Sequence, residues 1–419
     1  MPHGVWRYLA GAASARAGDE MSGPALLLLG FAVTGRPATG SALLAAVTIA
    51  GAAGGPAFGA LLDRSHRPER VLASALAAYA LGIAAVQLAV GRLAMPAVLL
   101  TALVAGLFSP AVAGGWTAQL PRLVTGPALV RGSALDAMSY SAASLAGPAL
   151  AALVAAGASP AAAVMTAAGL TALAGPVAWS LGRCPARSGT GSAAGPLLAP
   201  HRQIVAGFAA IIQRPALLRA TVTSVVSYAG IGMLLVCCPV LGAQRLGASA
   251  RGALLISAIA ATSLATNVIL ARRPRRGPPD AMVLASTLVI GASMAAAAIA
   301  PGWLTLAAVA LGGAGEGPQL TALFAVRHRE TPADLRGQVY TTAASLKIAG
   351  LAAGAALAGP LAGWSVTGCL LIAAGTELCA AAAYLATGST RPAQREPAAA
   401  PAPGTAGTDA ETVRPVRSG

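Results

Sequence analysis

Gly59-Ala-Leu-Leu-Asp63-Arg64-Ser-His-Arg67-Pro-Glu-Arg70 is a short charged interruption between two long apolar runs. Residues 39–62 before it carry no charged side chain, and the run over 70–90 carries none after Arg70. Each run exceeds the roughly 20 residues that cross a hydrocarbon core of about 30 Å. Two carboxylates and three arginines so close together belong in water at a membrane face, because charge inside hydrocarbon is costly. The stretch therefore reads as a tight loop joining two spanning helices.

The same punctuation recurs along the 419 residues. It marks off twelve apolar stretches, at 7–33, 39–62, 70–90, 95–118, 132–156 and 160–182, then 216–241, 250–271, 280–300, 303–326, 337–362 and 364–387. They are continuous rather than alternating with period two, so helices span here and barrel strands do not. Composition agrees, with 56% hydrophobic and only 10% charged residues against about 25% charged in soluble domains. The expected fold is all-α and integral to the membrane, which argues against a soluble enzyme. Arg16, Asp19 and Glu20 interrupt any signal-peptide core, so no cleavable leader is expected.

A net charge of +15 raises the question of nucleic acid. That partner needs clustered basic residues with aromatic stacking groups among them. Aromatics are 4% here, and the arginines fall between apolar runs, so the charge reads as topology. Assigned alternately to the two faces, 22 arginines fall on one side and four on the other, with Arg16 and Lys347 left inside the membrane. By the positive-inside rule both termini and the Asp63 loop are cytoplasmic. Arginine in place of lysine, with abundant alanine, suggests a GC-rich bacterial genome and hence a bacterial cytoplasmic membrane. The five cysteines show no ligand spacing, so neither metal nor disulfide is expected. No cofactor is expected either.

The longest internal loop divides the chain into a first six-helix bundle at 1–182, a connector at 183–215 and a second bundle at 216–387. The connector begins as a flexible stretch from Arg187 and ends, from His201 to Arg214, as a helix suited to lie on the membrane face. Residues 388–419, rich in Pro, Ala, Gly and Thr, read as a disordered tail. The halves look related: Arg131-Gly132 opens span five and Arg336-Gly337 opens span eleven, while Val-Leu-Ala-Ser follows both Arg70 and, at a short distance, Asp280. A 6+6 repeat of this kind is common among secondary transporters.

Gly59, Asp63, Arg64 and Arg67 match the G-x-x-x-D-R-x-x-R signature of the major facilitator superfamily, in the loop after the second span where that family carries it. The chain therefore resembles that family over roughly residues 7–387. The stretch from Leu120-Pro121-Arg122 through Arg131 and Asp136 to Gly147-Pro148 is similar to bacterial drug and siderophore exporters within it. The resemblance implies two six-helix bundles working by alternating access. It makes Gly59, Asp63, Arg64 and Arg67 a latch between the bundles, with Asp63 near a helix N-terminus such as that of span eleven. Two departures stand out. The arginine that drug:proton antiporters carry in helix four is missing, and Gly147-Pro148 lacks the paired glycines that usually follow it.

Ionisable groups within the spans carry the functional reading, since each needs a reason to be there. Asp19 and Glu20 point about 100° apart on one helix, so one of them faces the central pathway. Arg16 can pair with either acid, which leaves an internal ion pair and a proton or substrate site as alternatives. Glu316 lies among glycines and Pro318, which predict a weakened helix in a span that the resemblance places on the pathway. Lys347 can neutralise Glu316 or an acid of span one. Glu377 reads as structural or snorkelling, and Asp136 as a first-turn helix charge. Trp116, Gln119, Ser227, Tyr228 and Gln319 are candidates to coat a cavity. The histidines all fall in predicted loops or at the terminus. Glycine stripes at Gly51, Gly55 and Gly59 and at Gly350 and Gly354 predict close helix approaches. Trp6, Trp179, Trp303 and Trp364 mark span ends.

Together these features predict a monomeric transporter of a small molecule, driven by protons or another ion. Proton-coupled efflux of an amphiphilic drug, natural product or siderophore leads. A proton- or ion-coupled nutrient importer is the alternative. An intramembrane enzyme lacks a clustered catalytic set, and a receptor lacks an extramembrane domain.

Overall fold

The computed structural model of the protein describes residues 3–181, 200–248, 251–273 and 277–386. Among these, every regular element is helical. The first bundle holds α1 (His3–Thr34), α2 (Pro37–Arg64), α3 (Pro68–Ala89), α4 (Met95–Gly106), α5 (Pro127–Gly157) and α6 (Pro160–Leu181). A short helix, α7 (Pro200–Gln213), leads to the second bundle. That bundle holds α8 (Pro215–Leu246), α9 (Gly252–Arg272), α10 (Pro279–Ile299), α11 (Leu304–Glu330), α12 (Arg336–Trp364) and α13 (Val366–Ala386). Every predicted span has its helix, and in all but the fourth the ends are displaced by only a few residues. The flexible stretch read at 187–195 and the tail at 388–419 lie outside the described residues.

Much of the proline falls at helix starts. Pro37, Pro68, Pro127, Pro215 and Pro279 open α2, α3, α5, α8 and α10. The missing N–H costs nothing there, and the fixed φ suits the first turn. Ten helices are long and apolar enough to cross a membrane, counting α4 with its continuation to Leu123. The two spans outside that set are α1 and α11, which carry Arg16, Asp19 and Glu20, and Glu316 with Arg327 and Arg329.

Two expectations about helix continuity change places. Span four, read as one helix over 95–118, stops at Gly106 and continues as a 3₁₀ turn (Ser109–Ala111) and single turns at Gly114–Thr117 and Leu120–Leu123. Pro110 and Pro121 supply no N–H, and Gly114-Gly115 offers little helix propensity between them. The break brings backbone to backbone: a Cβ on Gly114 would lie 2.5 Å from Thr341 Cα of α12. Span ten, expected to weaken around Glu316, is continuous through Glu330. Its glycines serve close packing instead. A Cβ on Gly317 would meet the Ser263 carbonyl oxygen of α9 at 2.5 Å, and one on Gly313 would collide with that of Ile259.

One apolar core fills the second bundle, and the core of the first extends to Leu320 and Phe324 of α11 and Tyr340 of α12. Between the bundles, the tight approaches lie in the halves of the helices that end at the arginine-rich face. Gly55 and Gly59 of α2 pack against Ser345 and Thr341 of α12, and Ser345 Oγ donates to the Gly51 carbonyl at 3.0 Å. On the other side Ser141 of α5 meets Ser263 of α9 at 2.8 Å and accepts from Asn267 Nδ2 at 3.1 Å. Asn267 and Ala271 occupy the repeat positions of Gly59 and Asp63, so side-chain hydrogen bonds there take the place of a carboxylate. Helix α7 lies against α2, α8 and α12, with Ile211 buried beside Leu217 and Val339. Trp6, Trp179, Trp303 and Trp364 are exposed, as membrane-interface anchors are.

Because only a hydrogen fits at Gly55, Gly55→Leu should force α2 from α12. In a cysteine-free background, a cysteine at Ser345 should then react several-fold faster with a water-soluble thiol reagent. An unchanged rate would show that the glycine stripe does not set this approach.

Candidate functional site

Helix α12 starts without a side-chain cap of its own. Its first N–H groups are satisfied from the other bundle: Gly337 N donates to Asp63 Oδ1 at 2.6 Å and Gln338 N to Oδ2 at 2.7 Å. Charge-assisted bonds of this kind contribute about 1.5–3 kcal/mol each. Asp63 ends α2, where its own helix dipole disfavours an anion, and it begins α12, where the dipole favours one. The carboxylate is therefore most stable with the bundles together at this face. A Cβ on Gly337 would come within 2.7 Å of Asp63 Oδ1, so glycine admits the carboxylate. Arg64 is half-buried and Arg67 exposed at the start of α3. A polar cavity of about 280 Å³ lies beside the contact, lined by Asp63, Gln119, Arg122 and Arg336. Gln119, a cavity candidate from sequence, lines this recess and accepts from Arg122 Nη1 at 3.1 Å.

Within the first bundle, Arg16 pairs with neither Asp19 nor Glu20. It reaches across to α5, where Nη1 lies 2.8 Å from Asp136 Oδ1 and also contacts Ser139 Oγ. Nη2 donates to Thr117 Oγ1 at 3.0 Å in the broken part of span four. Tyr8 donates to Asp136 Oδ1 at 2.8 Å and Thr117 to Oδ2 at 2.9 Å. The guanidinium also stacks on the Tyr140 ring at 3.6 Å. Asp136, read as a first-turn charge, is thus a wholly buried partner of a wholly buried arginine. The reading of a pair within helix one is corrected with it. Trp116 is corrected too. It is fully buried, its indole N–H donates to the Tyr8 carbonyl at 3.3 Å, and it coats no cavity.

The remaining acids of α1 separate by direction. Asp19 accepts from Tyr79 of α3 at 2.6 Å and so faces its own bundle. Glu20 accepts from Ser144 of α5 at 2.9 Å. Gly147 of the Gly147-Pro148 pair lies against it; a Cβ there would sit 2.7 Å from Glu20 Cβ. From the second bundle, Glu316 accepts from Tyr228 of α8 at 3.4 Å. Lys347 Nζ stands over the Tyr228 ring at 4.2 Å and the Tyr140 ring at 5.8 Å. Its charge acts on both Glu20 and Glu316. Glu20, Tyr140, Ser144, Tyr228, Glu316 and Lys347 are all half-buried, whereas Arg16 and Asp136 are sealed. They form one cluster between the bundles, well inside the spanning helices.

Ser227 and Gln319 point elsewhere, into the interior of the second bundle. Gln319 Nε2 donates to Ser227 Oγ at 3.1 Å and to Thr287 Oγ1 at 2.9 Å. Ser227 in turn donates to Glu377 Oε1 at 2.8 Å. Glu377, read as structural or snorkelling, is wholly buried and does not snorkel. His328 and Arg327 are also corrected: both lie in the last turn of α11 and are buried, with His328 against Tyr340 at 5.0 Å. What reveals Asp136 and Glu377 is burial, which depends on helices far away in sequence.

Sequence comparison matches the Major Facilitator Superfamily profile to residues 8–354. No curated protein matches the sequence. Among solved structures, the human organic anion transporter MFSD10 (TETRAN) superposes with a TM-score of 0.72 at 17% identity, over 92% of this chain and all of that one. A bacterial homologue of the iron transporter ferroportin, in an outward-facing state, gives 0.73 at 15% identity, over 92% and 99%. The Escherichia coli fucose:proton symporter FucP gives 0.68 at 12% identity, over 92% and 98%. At these identities the likeness is one of fold.

Removing one partner of a buried ion pair typically costs about 3–5 kcal/mol, because the other charge is stranded. Arg16→Gln and Asp136→Asn should each lower the thermal midpoint of the purified protein sharply. The double variant should be clearly more stable than the summed losses predict. Additive losses in this double-mutant cycle would count against the pair.

Proposed function

Because the chain belongs to the Major Facilitator Superfamily, we propose that it is a proton-coupled exporter of small amphiphilic molecules, working by alternating access. One observation carries the reading. Two carboxylates and one ammonium, contributed by opposite bundles, form one half-buried cluster, and none of them forms an ion pair within 4.0 Å among the described residues. Unpaired charges at mid-membrane are costly, and a cluster that retains them can take up a proton or a charged substrate.

With the arginine-rich face taken as cytoplasmic, the bundles are closed inside, and in this reading the cluster walls a chamber reached from outside. Protons from outside neutralise Glu316 and Glu20, and substrate held against the Tyr140 and Tyr228 rings leaves. The Asp63 latch then parts, the chamber opens inward, and the carboxyls release their protons. The freed carboxylates and the aromatic walls receive the next substrate molecule. Arg16 contributes to the first bundle, beside the break in span four, the cation that the family's antiporters place in helix four itself. Its seal with Asp136 makes it a positioning residue for Tyr140. The protein is expected to act as a monomer in a bacterial cytoplasmic membrane, with both termini inside.

Everted vesicles loaded by a pH gradient test the reading with a panel of fluorescent cationic and zwitterionic dyes. Wild-type protein should accumulate at least one dye against its gradient, and collapsing the pH gradient should abolish accumulation. Glu316→Gln should leave facilitated equilibration and lose uphill transport. Uphill transport by Glu316→Gln would overturn the assignment of Glu316, and dye loss in place of accumulation would indicate an importer.

A further inference from the structure

Glu377 lies outside the chamber and has no part in the cycle described above. It sits midway along α13 and is completely enclosed by α8, α10, α11 and α13. Gly230 of α8 and Gly291 of α10 make room for it. A Cβ on Gly291 would be 3.0 Å from Glu377 Cβ, and one on Gly230 would be 3.4 Å from its Oε1. Ser227 Oγ is its one hydrogen-bond donor, at 2.8 Å, and Oε2 has no partner among the described residues. No cation lies within 4.0 Å of it among them.

The ionisable groups around it do not supply a counter-charge. On α11 the facing group is Glu316, another acid, which acts on Glu377 electrostatically. On α8 it is Tyr228, whose hydroxyl is directed to Glu316. The only ionisable residue of α10 is Asp280, at the first turn, held there by Arg219, Arg329 and Tyr384. On α12, Lys347 stands on the Tyr228 ring. On α13 itself, Cys379 is exposed and Tyr384 is committed to Asp280. An ionised carboxylate in this enclosure would be desolvated with a single donor, an arrangement proteins avoid by binding a proton.

We propose that Glu377 is a second proton-binding site, set within the C-terminal bundle, and that its occupancy is linked to the bundle's conformation. This rests on the proton-coupled reading above. The link runs through α8 and α11. Ser227 and Tyr228 are consecutive on α8, and Gln319 follows Glu316 by one turn on α11. One member of each pair faces the chamber and the other faces Glu377. A rotation or shift of α8 or α11 that changes the chamber therefore also breaks the Gln319–Ser227–Glu377 chain and lets water reach the carboxyl. Proton binding moves one H⁺ onto Glu377 from solvent, and release returns it, with no covalent bond changed.

Infrared spectroscopy of purified protein in lipid nanodiscs, titrated with pH, tests this without a transported substrate. The carbonyl band of a protonated carboxyl at neutral pH should lose one component in Glu377→Gln and keep it in Glu316→Gln. In Ser227→Ala that component should move to higher frequency, because the bond to Oε1 is gone. Should Glu377→Gln fail to fold, ¹³C-glutamate labelling with Ser227→Ala isolates the same component. If the Glu377→Gln difference shows a lost ionised carboxylate, the proposal falls. Conformational linkage is read in Asp63→Asn, which weakens the latch: the midpoint of the Glu377 component should shift. An unmoved midpoint would make Glu377 a static structural acid and overturn the linkage. Uphill dye transport that persists in Glu316→Gln while these bands behave as stated would overturn the cycle and not this site.

Discussion

The contact between Asp63 and the first turn of α12 holds the two halves of this molecule in their present relation. A helix beginning leaves N–H groups that need acceptors, and in α12 those acceptors come from the far bundle. The same carboxylate sits at the wrong end of its own helix. Its preference is therefore directional: it favours closure and does nothing to hold the bundles once they have parted. The close approaches nearby, through Gly55, Gly59 and Gly114, depend on α12 being held at that distance. The opposite pseudo-symmetric contact, between Ser141, Ser263 and Asn267, is neutral and has no such polarity. The two sides of the closed face are thus unequal, one set by charge and a helix terminus and the other by short side chains.

Charge inside the membrane is sorted by how well it is satisfied. The Arg16–Asp136 pair meets Tyr8, Thr117, Ser139 and the Tyr140 ring, and it is sealed. Such a site has little reason to titrate and acts as a rivet between α1, span four and α5. Glu20, Glu316 and Lys347 are half-open and share neutral partners, the arrangement in which a proton or ligand can still change the balance. Glu377 is the third kind, sealed but poorly satisfied. Tyrosines connect the first two kinds: Tyr140 carries Arg16 on its ring and stands near Lys347, and Tyr228 carries Lys347 and donates to Glu316.

How much of this was legible beforehand follows from the range of each interaction. The twelve spans were, because hydrophobic length is local and the arginines punctuate it. The Asp63 loop was, because its residues are contiguous. The partner of Arg16 was not. Asp19 and Glu20 are three and four residues away, while Asp136 is 120 away and looks like an ordinary charge near a helix start. Glycine misled in two directions. In span ten it suggested a break where it serves packing against α9, and in span four Pro110 with Gly114-Gly115 made the real break inside what reads as one helix. Propensity alone cannot separate these cases, since the neighbour that approaches the glycine decides.

The sealed Arg16–Asp136 pair also bears on how the protein is made. Helix α1 leaves the ribosome before α5, and it is too polar to be counted among the apolar spans. Its guanidinium is satisfied only after α5 has been synthesised, 120 residues later, which at ordinary translation speeds is roughly 6–24 s. During that interval α1 must be sheltered at the insertion machinery or remain at the membrane surface. The partner that makes α1 a stable membrane helix is thus delivered by elongation, and the first bundle assembles around its earliest segment last.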